Sequence, residues 1–439
     1  VFGKPVPAPI FVPEDEASLA EVIARYAGDA ACVRLYSGGD CNLTFTDRCA
    51  AFVDGRRLLQ RLEDLAAIGP IAGGGVNRLA LTDADKAGRD LVTGWMRDLG
   101  LDVRIDSVGN AVGLWGDRIE RAVMIGSHID TVRTGGRYDG NFGVLAGLEV
   151  IETLMTAGVD PPSGGVAVAF FTNEEGARFA PDMLGSLVYA GGMPVEAAHD
   201  ITGIDGAHVG EELARIGYLG SYPCPGPAPR AFLELHVEQG PVLEAEGFDI
   251  GAVTGVQGIW WEEVTVHGQS NHAGTTPMAL RHDAAYVAAE MGVFVRRLAL
   301  ELGGHQVATM GRVELYPNLT NVVASRATFT LDVRNTDATV LAEAEHQIMG
   351  RLDELAASEK VTIERRTLAR FAPVAFDDTM IDRVEAHASK LGARVKRLPS
   401  GAGHDAQMLA RICPTSMIFV PSANGISHNP SEYTAPESL

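Results

Sequence analysis

The chain has 439 residues, with 36 Lys or Arg against 57 Asp or Glu and a formal net charge of −21. That surplus of acid repels phosphate backbones and excludes nucleic acid as a partner. Hydrophobic residues make up 46% of the sequence, ample for a sizeable core, and the length points to two domains.

The five cysteines (Cys32, Cys41, Cys49, Cys224, Cys413) form no CxxC pair, the pattern of free thiols in a reducing, cytoplasmic setting. No apolar run approaches the roughly 20 residues of a membrane span, so no membrane partner is expected. The segment VFGKPVPAPIFVPEDE is too acidic, and its apolar run too short, for a secretory signal.

Residues 1–54 are read as an N-terminal extension without an assigned role, with a short helix over Ala17–Tyr26. Leu58, Leu59, Leu62 and Leu65 predict a helix over Gly55–Ala67. Gly73-Gly74-Gly75 lacks the Gly-Lys-Ser/Thr of a phosphate cradle. Thr82-Asp83-Ala84-Asp85 caps a helix running to Leu99. Val103–Ser107 and Ala111–Leu114 read as a strand pair turned at Gly109-Asn110.

An apolar run at Val123–Ile125 then ends in Gly126-Ser127-His128-Ile129-Asp130, and Gly135-Gly136 leads to Tyr138-Asp139-Gly140 and a helical pattern. On an extended segment residues i and i+2 share a face, so Asp130 is placed to orient the ring of His128. Taken alone, His128 fits a satisfied histidine in a strand–loop–helix crossover as well as it fits a metal ligand. Gly165–Thr172 is a strand buried on both faces and ends in Asn173-Glu174-Glu175; Phe232–Val237 carries His236 at its end, followed by Glu238-Gln239. Polar groups at the carboxyl ends of alternating strands are where open α/β sheets bind ligands.

Near Ala252 the pattern changes. Strands over Gly258–Val266, Val307–Leu315 and Ala327–Arg334 and helices over Asp283–Leu302 and Ala338–Ser358 predict a small α+β insert. Alternation resumes with Val361–Leu368, a helix over Asp378–Leu391, Ala393–Leu398 and Ser416–Val420. The expected organisation is therefore an α/β domain split over 55–251 and 361–439 around an insert at 252–360.

His128, Asp139, Glu174, Glu175, His236 and His428 each follow an apolar run or a glycine-rich turn. Three imidazoles and three carboxylates suffice for two divalent metals, with one carboxylate bridging and one left as a base; zinc and manganese both accept such ligands. Two adjacent acids are usually a surface turn, but Glu174-Glu175 ends a buried strand. His272 fits a loop histidine and Arg334 a surface strand residue. His404-Asp405 fits an N-cap pair or a substrate contact. No G-x-S-x-G occurs and no cysteine lies in these motifs, which excludes a serine nucleophile and leaves no cysteine placed to act.

The motifs GSHIDTVRTGGRYDG, FTNEEGARF, MLGS, LELHVEQGPVLE, GQSNHAGTTPM, PNLTNVV…FTLDVR, SGAGHDA and GISHNPSE, in that order, resemble the amidase, hydantoinase/carbamoylase family of di-metal aminopeptidase-like hydrolases. The resemblance runs from about residue 55 to the C-terminus and departs at Ala324, where the family more often has proline. It implies an aminopeptidase-like catalytic domain with a mixed central sheet flanked by helices, plus a smaller α+β lid and dimerisation domain. It implies one metal on His128, Asp139 and His236, and a second on Asp139, Glu175 and His428. The metals would be zinc or manganese, with cobalt as a substitute. Glu174 would be the general base, Asp130 the residue orienting His128, and His272 the oxyanion donor. Gln239, Asn321, Arg334 and His404 would bind a small ureido acid. The implied reaction cleaves the carbamoyl C–N bond of N-carbamoyl-L-amino acids to amino acid, carbon dioxide and ammonia. Allantoate amidohydrolase and β-ureidopropionase are the alternatives; dipeptidase, aminoacylase or a non-catalytic binding protein are more distant. A homodimer through the insert is implied too, with Gly258–Val266 as the strand placed to pair across an edge.

Overall fold

A computed structural model describes residues 52–162 and 164–439. The helix expected at Ala17–Tyr26 and most of the N-terminal extension lie outside the described residues. The chain divides into two compact units, one running to Thr254 and resuming at Phe376, the other spanning Gly255–Ala375.

The strands are β1 (Asp102–Ile105), β2 (Ala111–Trp115), β3 (Val123–His128), β4 (Val166–Phe171), β5 (Ala231–Val237), β6 (Ile250–Val256), β7 (Gly258–His267), β8 (Val307–Tyr316), β9 (Arg326–Asn335), β10 (Thr362–Phe371), β11 (Val374–Ala375), β12 (Val395–Ser400) and β13 (Thr415–Val420). In the first unit the order is β1-β2-β4-β3-β5-β13-β6, with β12 also on β6. The four central strands β4, β3, β5 and β13 run parallel, whereas β1, β2 and β6 join antiparallel. The sheet is therefore mixed. Strands β3, β4 and β13 are buried at every residue, as expected where helices cover both faces.

The helix Asn141–Thr156 packs on β3 and β5 and is mostly buried. Helix Gly55–Ala66 packs on it and is capped by Asp54, whose side chain accepts from the backbone N–H groups of Arg56 and Arg57. Arg57 and Arg61 pair with Glu149 and Glu152 on the facing helix. In the parallel register His128 lies opposite Phe171, and Phe419 opposite His236, so the strands present their carboxyl ends at one level.

The second unit is an antiparallel sheet of order β10-β7-β9-β8 with helices Ala284–Leu302 and Ala338–Glu359. Its core joins Trp260, Val264 and Val266 of β7 to Phe329, Leu331 and Val333 of β9 and to Val287, Met291, Ile348 and Leu352 of the helices. Two expectations are corrected here. The insert expected to end at 360 continues to 375, because Thr362–Phe371 pairs antiparallel with β7 instead of returning to the large sheet. Gly258–Val266 is also not an edge: β7 has β10 on one side and β9 on the other, and the edges of the sheet are β10 and β8.

Candidate metal centre

His128 closes β3 and is buried. Its Nδ1 lies 3.0 Å from the carbonyl oxygen of Asp130, and Nδ1 of His236 lies 2.7 Å from that of Val237. Each ring thus places its Nδ1 proton on a carbonyl and turns Nε2 inward. The expectation for Asp130 is corrected in one respect. Its backbone carbonyl orients the ring, while its carboxylate accepts from the backbone N–H of Glu174 at 3.2 Å and of Glu175 at 3.4 Å. The segment after His128 therefore aims the acidic pair as well as the imidazole.

Asp139 stands at the middle. Its Oδ1 is 3.1 Å from His236 Nε2 and 3.5 Å from His128 Nε2, and its Oδ2 is 3.4 Å from His428 Nε2. One carboxylate thus addresses two imidazole sets through separate oxygens. Glu174 Oε2 lies 3.3 Å from His128 Nε2, and Glu175 Oε2 lies 3.1 Å from His428 Nε2. Adjacent in sequence, the two acids face different histidines. Gly140 follows Asp139 at φ +65°, and a Cβ there would overlap the His128 ring. Asn173, Gln239 and His428 also sit at positive φ, left-handed conformations gathered around one site.

These residues form two sets whose ligand atoms can meet at one point, His128–Asp139–His236 and Asp139–Glu175–His428. Nitrogen and carboxylate donors of this kind suit a divalent cation. Nε2 of His128 is buried and makes no hydrogen bond. Burial works against a charge on His128, but Glu174, Asp139 and Asp130 outweigh it and hold its pKa well above the usual value. Hydrogen bonds to Asp139 and Glu175 raise His428 to about 10. Burial alone would lift the Asp139 carboxyl, yet the three imidazoles of His128, His236 and His428 around it hold it well below its usual range. Imidazoles crowded by carboxylates keep protons that a divalent cation would replace. The residues present fit such a cation.

Burial also lifts Glu174 well above the carboxylate range, against the pull of His128. Gln239 departs from expectation: its Nε2 donates to Asp139 Oδ2 at 2.8 Å, and its buried Oε1 makes no hydrogen bond. His404 stands at the N-cap of helix Asp405–Leu409, as expected, but its side chain makes no capping hydrogen bond. It is buried, its Nε2 meets Ser400 Oγ at 2.8 Å, and its ring packs edge-on against His236 at 4.5 Å.

In the second unit, His272 and Asn321 lie side by side, because His272 pairs with Val322 and Ala273 donates to the Asn321 carbonyl. Nδ1 of His272 accepts from the backbone N–H groups of Gly274 and Thr275, so its own proton sits on Nε2. Arg334 does not offer an open fork. Its Nε and Nη2 grip both oxygens of Asp332 at 2.8 and 2.9 Å, and its guanidinium lies over the Trp261 ring.

Two acids escaped the reading of the sequence. Glu432 accepts from the backbone N–H groups of Tyr138 and Asp139 and from Ser427 Oγ, in space left by Gly136. Glu234, two residues before His236, accepts from Ser127 Oγ and the Ala406 N–H. An acid inside the buried run LELHV was its signal.

Residues 124–439 match the model of peptidase family M20/M25/M40. An N-carbamoyl-L-amino-acid amidohydrolase of Rhizobium meliloti is 39% identical over 384 residues, covering 87% of this chain and 92% of the relative. A ureidoglycolate hydrolase of Arabidopsis thaliana is 35% identical over 401 residues, covering 88% and 84%. The crystal structure of a hydantoinase/carbamoylase family amidase from Burkholderia multivorans superposes with a TM-score of 0.84 at 44% identity, over 88% of this chain and 94% of that one. With this extent of match, the chain belongs to peptidase family M20/M25/M40, among its hydantoinase/carbamoylase amidases.

Proposed function

We propose that the chain hydrolyses the carbamoyl C–N bond of N-carbamoyl-L-amino acids, giving the amino acid, carbon dioxide and ammonia. The observation that carries this reading is Asp139, whose two oxygens face separate histidine sets with Glu174 alongside. His128, Asp139 and His236 would hold one divalent cation and Asp139, Glu175 and His428 a second, zinc or manganese, with cobalt able to replace either. When bound, such ions polarise a ureido carbonyl and make water acidic enough to attack at neutral pH.

The chain's own groups move the protons. Glu174, beside His128 and not in either ligand set, takes one from the attacking water and returns it to the leaving nitrogen. The Nε2–H of His272 meets charge developing on the carbonyl oxygen. Asn321 and Arg334 are offered to the substrate carboxylate, Arg334 by exchanging Asp332 for it. The Oε1 of Gln239 accepts from the carbamoyl NH2.

The same reading includes a homodimer through the insert, supported by the exposed edge strand β8. A second substrate reading, ureidoglycolate, rests on the Arabidopsis relative. Ammonia release from N-carbamoyl-L-amino acids, N-carbamoyl-β-alanine, allantoate and ureidoglycolate, after chelation and reconstitution with manganese or zinc, tests the metal and substrate readings. The expected result is turnover of the carbamoyl amino acids only with metal. Full turnover after exhaustive chelation would defeat the metal reading; preference for ureidoglycolate would replace the substrate.

A further inference from the structure

Arg78 has 0% of its surface exposed, and no role has been assigned to it so far. Burial draws its pKa down to about 10, so the guanidinium stays protonated at neutral pH. Its side-chain hydrogen bonds all run to uncharged oxygens. Nη1 donates to the carbonyls of Leu65 and Ile68, both at 3.0 Å, at the end of helix Gly55–Ala66. The negative end of that helix offsets part of the buried charge.

The other edge of the guanidinium is the informative one. Nε donates to the Ile129 carbonyl at 2.7 Å, and Nη2 to Asn141 Oδ1 at 2.8 Å. Two parallel N–H groups in a rigid plane usually grip both oxygens of one carboxylate. Here they grip two separate stretches of chain. Ile129 lies between His128 and Asp130, and Asn141 opens the helix that follows Asp139-Gly140. The backbone N–H of Arg78 also donates to Thr131 Oγ1 at 2.8 Å, fixing the strand exit at a second point. Gly88 leaves room for the arginine stem: a Cβ there would lie 2.8 Å from Arg78 Cδ. In a helix interior that glycine costs about 1 kcal/mol relative to alanine, which its contact with Arg78 accounts for.

We propose that Arg78 is a positioning residue of the metal centre, one guanidinium edge holding the segments that carry His128 and Asp139 at a fixed separation. The proposal rests on the metal reading above. Lysine keeps a positive charge at the helix end but, as a point donor, cannot span the two segments.

The test is cobalt(II) titration of the chelated protein by calorimetry and visible absorption, on wild type, Arg78→Lys and Asn141→Leu, beside thermal unfolding of each metal-free protein. Asn141→Leu removes one arm only and decides the matter if Arg78→Lys does not fold. Both variants should weaken cobalt at the His128 set by about 10–100-fold, the usual effect of losing an outer partner of a ligand, and change its absorption bands. Variants that unfold at lower temperature yet bind two cobalt ions with wild-type affinity and spectrum would overturn the proposal while leaving the metal reading intact. Wild type that takes up no cobalt would defeat both.

Discussion

Glu174 and Glu175 are neighbours that face different imidazoles, so one substitution at each separates proton transfer from metal holding. Glu174→Gln should keep its metal and lose turnover by roughly 10²–10⁴-fold, the usual worth of a general base. Glu175→Gln should lose metal by elemental analysis; the opposite pattern would reverse the two assignments. Asp130 divides its work between backbone and side chain, and Asp130→Asn leaves the carbonyl on His128 untouched. It replaces one acceptor at the Glu174 and Glu175 N–H groups with a donor. Turnover should fall by about 10-fold or more while metal content holds, since a hydrogen bond to a charged group contributes about 1.5–3 kcal/mol. Loss of metal before activity would return Asp130 to the role of a direct His128 partner. Arg334→Ala should cost about 2–5 kcal/mol in kcat/KM on a carbamoyl amino acid, as for one partner of a buried charge pair, and little on an N-alkyl urea that lacks the carboxylate. Lysine should recover only part of the loss. Equal losses on both compounds would leave Arg334 as the partner of Asp332 and no more.

At the level of elements, the site is built from strand exits whose turns leave no space for larger residues. Gly140 shows this most directly, with positive φ and the His128 ring where a Cβ would stand. Gly140→Ala should destabilise the protein by about 1–3 kcal/mol and weaken the His128 metal set, read by thermal unfolding and chelator competition. Unchanged metal affinity would mean the ring has room to move. These exits were legible in the sequence because each polar group follows a short apolar run, and the long helices were legible from their periodicity. The helices Leu184–Tyr189 and Val195–His199 were not, since one to two turns hold too few residues to show a period. The packing of His404 was not legible, because nothing local reveals that its ring is stacked on His236 and closed off from solvent. Arg78 was passed over because arginine is ordinarily a surface residue, and its four acceptors come from three distant segments.

Across the whole molecule, the insertion of one domain into another was legible from the change of pattern near Ala252, but its end was not. Alternation shows that Thr362–Phe371 is a strand; it does not say which sheet receives it. Pairing with β7 completes a four-stranded sheet and leaves β8 as an edge. That edge exposes Val307, Val313 and Tyr316, and helix Ala284–Leu302, which packs beside it, exposes Tyr286, Val293 and Leu300. A long edge carrying apolar side chains is a template for another strand, and a second copy of the same surface closes it by two-fold symmetry. Sedimentation equilibrium should therefore give a dimer at micromolar concentration. Val313→Lys and Leu300→Glu together should weaken it, each by about 1.5–3 kcal/mol if its side chain is buried on association, or roughly ten- to a hundredfold. Both side chains are exposed in the single chain, so unfolding of the dissociated variant should stay within about 0.5 kcal/mol of the wild-type monomer. A wild-type monomer at these concentrations would rule the dimer out. A double variant that still dimerises would move the interface off β8. A variant that unfolds as it dissociates would show that the two side chains support the insert itself, leaving the edge strand without a partner.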